Sequence, residues 1–419
     1  MGARGRVAAV LACVGAALAC AAAEGVALRG FTETRGGSGG RVIRVTNLAG
    51  QGPGSLRAAL AEKGPRIVVF EVGGVIDLSK RNLNVTEPFV TVAGQTAPAP
   101  GVTLIRGGVS VQTHDVVMRH IRVRPGDAGQ AKRSGWEPDG LSTSGEQARD
   151  IVIDHCSFSW ATDENLSASG ARLQGPEMTS RRVTFSNCII AEGLSRSTHA
   201  KGEHSKGSLI HDYCREIAVV GNLYAHNVQR NPYFKAHTTG VIVNNLIYDP
   251  GSAAIQLNFS PAEWEGAAVK PENCRVSIVG NVLLHGASTR KGLALAASRG
   301  DAFMADNLAF QADGSPAPLV SGTVRLLEER PVWPEGLRPL PAAEVEAYIV
   351  RHAGARPKER CAVDRRIVAN LTARKGRVID SQDEVGGYPV AEMTERRLEV
   401  PEGAAAVEAW LERLAAELE

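Results

Sequence analysis

Aromatic residues make up only 5% of this 419-residue chain, whereas glycine occurs 45 times. That imbalance suits a turn-rich, repetitive β architecture. None of the seven cysteines forms a Cys-x-x-Cys pair, which argues against a zinc module. No charge of one sign dominates: 47 Lys and Arg face 45 Asp and Glu. Without a global field, neither nucleic acid nor a membrane surface is an expected partner, and any site for a polyanion must be local. Helical patterns are too scarce between the strand-like runs for a β/α barrel.

The one long apolar run is at the start. Arg4 and Arg6, the run Val7 to Ala19 and the small residues Ala21 to Ala23 read as a secretory signal over residues 1–23. The run is too short for a membrane span, so a secreted protein is expected, extracellular or periplasmic. Lipidation at Cys20 is the lesser alternative, because Ala17 stands where a larger aliphatic is usual. Five cysteines then remain, an odd number, so at least one thiol is free or pairs outside the chain. Cys156 and Cys188 fall within apolar runs, where cysteine acts as a small hydrophobe.

What is present is a repeat. Short β-rich runs end in Asn: Val183-Thr-Phe-Ser-Asn187, Ala218-Val-Val-Gly-Asn222, Val241-Ile-Val-Asn-Asn245, Ser277-Ile-Val-Gly-Asn281 and Ala302-Phe-Met-Ala-Asp-Asn307. Two earlier runs, ending in His120 and His155, carry His at the place of Asn. Strands this short, repeating at intervals from the low twenties upward, predict a single-chain parallel β-solenoid, an all-β fold whose coils stack like positions on like. Asn at each bend tolerates a left-handed backbone, and its amide can bond to the next Asn in the stack.

Upstream, Arg41 to Thr46, Ile67 to Phe70, Val75-Ile76 and Val90 to Ala93 read as further strands. Ser55 to Glu62 reads as a Ser-capped helix that closes the open end of the solenoid. After about residue 325, prolines 331, 334, 339 and 341 break the pattern, and Ala342 to His352 and Ala404 to Leu418 read as amphipathic helices. The expected division is a signal over 1–23, a β-solenoid over 24–325 and an extension over 326–419 packed along its outside.

The chemistry concentrates in Asp150 to Asn165. An apolar strand runs into the adjacent acids Asp163 and Glu164, a place to hold a cation against a sheet. Together with Val45-Thr-Asn-Leu48, Gly54-Ser-Leu-Arg57, Ala93-Gly-Gln-Thr-Ala-Pro98, Asp154-His-Cys-Ser-Phe-Ser-Trp-Ala-Thr-Asp-Glu164 and Arg230-Asn-Pro232, the chain from about residue 30 to 307 resembles the family 1 pectate lyases. The resemblance implies a right-handed parallel β-helix and Ca²⁺-assisted β-elimination of polygalacturonate or pectin, leaving 4,5-unsaturated oligogalacturonates. It places Asp139 and Asp163 on the metal, where the adjacent Glu164 is a further candidate ligand, and it makes Arg230 the proton-abstracting residue with Lys206 beside it. It places Lys206 and Lys235 on the substrate, and His204 beside Lys206 is a further candidate substrate contact. Asp154 and His155 would then be structural wall.

Two departures stand out. Relatives often carry acids two residues after the first metal ligand and four before the second, where this chain has Leu141 and Ser159. Lys235 stands where relatives usually have a second arginine, giving a point charge in place of a planar fork. A guanidinium is a poor base on first principles, so His199, His204 and His226 are alternative bases, more often rung-stacking or supporting residues. Trp136 and Trp160 are candidates for stacking on sugar rings. Competing readings are a lyase for another uronate or for methylated pectin, and a non-catalytic glycan-binding β-solenoid. A hydrolase of the polygalacturonase type is disfavoured because the chain lacks Gly-His-Gly. A monomer is expected.

Overall fold

The computed structural model describes residues 28–419; the signal segment and Cys20 lie outside the described residues. Short strands stack in parallel on three faces of a β-helix. One face contains Ile151, Val183 and Ile217 in register. The second contains Ser157, Ile189, Leu223, Leu246 and Val282. The third runs through Leu141–Ser144, Glu164–Ser169, Lys206–Ile210, Tyr233–Phe234 and Ile255–Leu257. Because pairing is in register, residue types repeat along the axis. Met118, Ile153, Phe185, Val219, Ile242 and Ile278 form one continuous buried column. Each such side chain contributes about 1.5–3 kcal/mol by leaving water.

The Asn repeat resolves into two adjacent columns. His120, His155, Asn187, Gly221, Asn244, Gly280 and Asp306 all take positive φ and turn the corner between the first two faces. The next residue points inward. There Asn222, Asn245, Asn281 and Asn307 form a buried ladder in which each amide donates to the next carbonyl oxygen at 3.0–3.1 Å. Asn187, aligned with the ladder in sequence, belongs instead to the corner column. Its ladder position is held by Cys188, whose backbone N–H donates to Asn222 at 2.8 Å. Turning the chain and filling the interior are separate tasks, and two successive residues share them.

No disulfide forms among the described residues. Cys156, Cys188, Cys214 and Cys274 are buried as free thiols, the first two well inside the core. Helix α1 (Leu56–Ala61) is capped by Ser55, whose hydroxyl accepts from the Ala58 N–H at 3.2 Å. Its Leu56, Ala59 and Leu60 join the core.

Beyond the β-helix, α2 (Ala342–His352) and α4 (Ala404–Leu418) match the periodicity read from sequence. A further helix, α3 (Ala362–Ala373), was not anticipated. Its signal was there, with Val363, Ile367, Val368 and Leu371 spaced along one face. Helices α2 and α3 pack on the outward apolar residues of the second face, among them Ile189, Leu223 and Leu246. Helix α4 sets Val407, Trp410 and Leu411 against Ile67, Val69 and Ala93 of the first. Leu28, Phe31, Trp333 and Leu337 cover Val220, Val241 and Val243.

An ionic node fixes α3. Asp364 is fully buried between Arg122 Nε at 3.1 Å and Arg124 Nη2 at 2.7 Å, and also accepts from Ser157 Oγ at 2.9 Å. The extension thus lies against two faces, and none of these packing clusters draws on the third. No helix among the described residues is long and apolar enough to cross a membrane.

Candidate functional site

Successive coils deliver the candidate residues to the corner where the chain enters the third face. Asp139 precedes the strand Leu141–Ser144, Asp163 and Glu164 open the next, Lys206 opens the third, and Arg230 lies in the bend before the fourth. Leu141 and Leu166 are paired and face the core, and Glu164 pairs with Lys206. In-register stacking therefore brings together residues that are far apart in sequence.

Carboxylate oxygens of Asp139, Asp163 and Glu164 lie within 4.8 Å of one another. Asp139 accepts from the Glu164 N–H at 3.1 Å and from Ser167 Oγ at 3.0 Å. Burial, and then the nearby negative charge of Asp163, push its carboxyl up to about 7. Burial would raise Asp163 too, but a 2.7 Å hydrogen bond to His204 Nε2 and the charge of that ring hold it below the usual range. His199 stacks on His204 with centroids 3.7 Å apart. His204 thus presents its edge to Asp163.

Glu164 contacts Arg230 Nη1 directly. Burial lowers the Arg230 guanidinium against the opposing pull of Asp163 and Asp139, its Nε has no partner, and it lies 5.7 Å from the centre of the Tyr233 ring. A cavity of about 400 Å³ opens here, bounded by the three acids, His204 and Arg230 and reaching Lys235. Lys206 is not among its lining residues. It is 5% exposed, and burial depresses its ammonium to about 8 despite Asp163 and Glu203. Lys235 is ion-paired with Glu263 and lies 3.4 Å from Asp212.

Other candidates fall away from the cavity. His226 is fully buried and bonded to Asp249 at 2.8 Å. Trp160 is fully buried and donates to Glu192 at 2.9 Å, so it cannot stack on a sugar. Trp136 Nε1 donates to the Gly126 carbonyl, while the Trp136 carbonyl accepts from Thr162 and Thr198, so this residue braces loops. Asp154 accepts from Ser186, Asn187 and His155 on the first face, consistent with a wall residue.

The two missing acids also have a structural account. Leu141 is fully buried in the core, and Ser159 is fully buried on the second face. An acid at either position would not reach the cavity. Another acid stands near the site. Two residues before Asp139, Glu137 lies 3.5 Å from His199, which in turn is 3.9 Å from Asp163.

The chain is similar to curated proteins named probable pectate lyase C. That of Neosartorya fischeri is 32% identical, with 84% of this chain and 78% of the relative covered. That of Emericella nidulans is 38% identical over 52% of this chain and 45% of the relative. Among solved structures, the major cedar-pollen allergen superposes with a TM-score of 0.53 at 16% identity, covering 77% of this chain and 90% of that one. A Bacillus subtilis pectate lyase gives 0.51 at 14% identity, covering 78% and 96%. No family model matches the chain.

Proposed function

The chain belongs to the pectate lyase family, and from that premise we propose that it is a secreted, family 1 enzyme that cleaves polygalacturonate by Ca²⁺-assisted β-elimination. It is a polysaccharide lyase. The observation that carries the mechanistic reading is the cluster of three carboxylates against one arginine at the floor of an open cavity.

The donor set fits calcium. Three carboxylates are hard oxygen donors, and burial and the neighbouring Asp163 hold the Asp139 carboxyl up to about 7, a cost that a bound cation would relieve. Asp139, Asp163 and Glu164 would hold the ion, with the remaining oxygens supplied by water or substrate. The chemistry such an ion would supply is Lewis-acid polarisation of a substrate carboxylate, which makes the neighbouring C5 proton more acidic. His204 keeps Asp163 ionised and oriented. That makes it a positioning residue more than a substrate contact.

Arg230 faces the place where charge develops. Burial lowers its proton affinity, which eases loss of its own proton so that the neutral guanidine can take the C5 proton as the bond to O4 breaks; in the charged form its unpartnered Nε–H is a donor that clamps the enolate-like charge. Lys206, near neutrality in its proton affinity, sits behind this pair and adds positive potential. We assign residues 24–325 as the catalytic unit, α1 as the closure of its open end and 326–419 as an extension packed on it, acting as a monomer exported by the signal over residues 1–23.

The test is release of unsaturated product from polygalacturonate, followed by ultraviolet absorbance, with calcium and then with chelator. Turnover that chelator abolishes and calcium restores is expected. No product at any alkaline pH would remove the lyase reading, and turnover indifferent to chelator would remove the calcium.

A further inference from the structure

A second cluster of ligand-type side chains lies at the corner between the first two faces, where His120 and His155 turn the chain. His155 Nδ1 stands 2.9 Å from Asp154 Oδ2 and 3.3 Å from Oε1 of Glu419, the residue that follows α4. Ligand atoms about 2.0–2.2 Å from one ion lie roughly 2.9–3.5 Å from their neighbours. Both spacings are therefore those of groups that share a cation. The other oxygen of Asp154 accepts from Ser186 Oγ at 2.7 Å and from Asn187 Nδ2 at 3.0 Å, which fixes the carboxylate with Oδ2 turned to the cluster. Outer partners of this kind orient metal ligands. His120, fully buried, is aimed at the same place. Its Nε2 is 3.3 Å from Glu419 Oε1 yet makes no hydrogen bond. Its Nδ1 accepts from the Arg356 N–H at 3.2 Å, so Nε2 carries the hydrogen and can brace the Glu419 carboxylate.

The charges leave room for a cation. Arg119 Nε lies 3.4 Å from Asp154, but Arg119 Nη1 is bonded to Glu412 at 2.9 Å. Three carboxylates thus face one guanidinium and the imidazole of His155. Further out, Arg29 and Arg35 are matched in number by Glu33 and Glu335. All four line a cavity of about 790 Å³ that reaches Asp154, His155 and Glu419 and gives an ion a way in. We propose that Asp154, His155 and Glu419 form a structural site for a zinc-class divalent cation, separate from the calcium site of the catalytic cavity. One imidazole and two carboxylates are a donor set that such ions take, with water in the open position. Binding displaces any proton from His155 Nδ1 and ties residue 419, and with it α4, to the wall of the β-helix. The inference does not rest on the lyase reading.

The test uses the full chain, stripped with chelator and dialysed. Zn²⁺ is titrated while thermal unfolding is followed, and Co²⁺ while visible absorption is followed. At a hundredfold excess over Kd, Zn²⁺ should raise the melting temperature by about 3 °C. A single equivalent of Co²⁺ should develop the visible bands of an ion bound by nitrogen and oxygen. Glu419→Gln should weaken both metals at least about a hundredfold and Ser186→Ala about tenfold, with calcium-dependent turnover unchanged in each. A wild type whose melting temperature ignores Zn²⁺ overturns the assignment. So does a Glu419→Gln protein that keeps wild-type affinity, or bands that survive there and vanish in His199→Ala, which would move the ion to the trio of Asp163, His199 and His204.

Discussion

Two clusters of buried acid in this molecule differ in how they are balanced. Beneath the extension, one carboxylate, Asp364, meets two guanidinium groups and a hydroxyl, and their combined pull outweighs burial and holds it below the usual range. At the open corner, three carboxylates gather around Arg230 and His204, and burial together with the charge of Asp163 drives one of them, Asp139, up to about 7. The first cluster is closed and acts as a fastener. In the second, Asp139 is held by a backbone N–H and a hydroxyl in place of a cation, and a perturbed acid in an open cavity is what a site for a cation and an anionic substrate requires. Burial is common to both, so it is the charge balance that separates structure from function.

The sharpest way to break this contrast is at Arg230. Arg230→Ala should lower kcat/KM on polygalacturonate at least about a thousandfold, some 4 kcal/mol in the transition state, with the melting temperature nearly unchanged. Wild-type rates in that variant would place the base elsewhere. The corresponding change in the closed cluster should act on the other quantity. Asp364→Asn strands Arg122 and Arg124 without their counter-charge and should cost about 3–5 kcal/mol in denaturant unfolding, while the folded fraction keeps its kcat.

A neutral control lies in the ladder. Asn245→Ala removes a fully satisfied buried amide between Asn222 and Asn281 and should cost about 1–3 kcal/mol. A smaller cost than at Asp364 is expected, again without change in turnover.

The smallest effect has the opposite sign. Asp139 ionises at about 7 in the folded chain, above an ordinary value of about 4. The folded state therefore holds a proton that the unfolded state has released across that interval, and stability falls as pH rises through it. Asp139→Asn should be more stable than the wild type by about 1–2 kcal/mol at pH near 8 in calcium-free buffer, the figure being reduced because the side chain keeps some contact with water. The two should converge below about pH 4. Equal stability at both pH values would show that Asp139 is not held against its charge.

Much of the fold was legible in the residues themselves. Helices α2 and α4 follow from their spacing, and the strand runs from the alternation of apolar residues. The solenoid follows from the Asn-terminated repeat, although Asn187 stood one column away from where that repeat placed it. Helix α3 was hidden because its first turn carries Asp364, a charged residue on a buried face, which sequence pattern reads as solvent-facing. Asp139, Asp163 and Arg230, the positions to which the family resemblance pointed, and the adjacent Glu164 line one cavity. The pairing of Lys235 with Glu263, the orientation of Asp163 by His204 and the nearness of Glu137 were not legible, because each partner comes from a different loop.

The sequence by itself determined that the chain coils into stacked short strands, since a repeat of period-two runs can bury its apolar residues only against neighbouring copies of itself. It also supplied the candidate side chains that the fold gathers around one cavity. Only the tertiary structure decided which charges are balanced and which are left short. That balance depends on distances of a few ångströms between residues many positions apart, and Coulomb energy in a poorly solvated corner depends on those distances and on burial, neither of which is written in the order of residues.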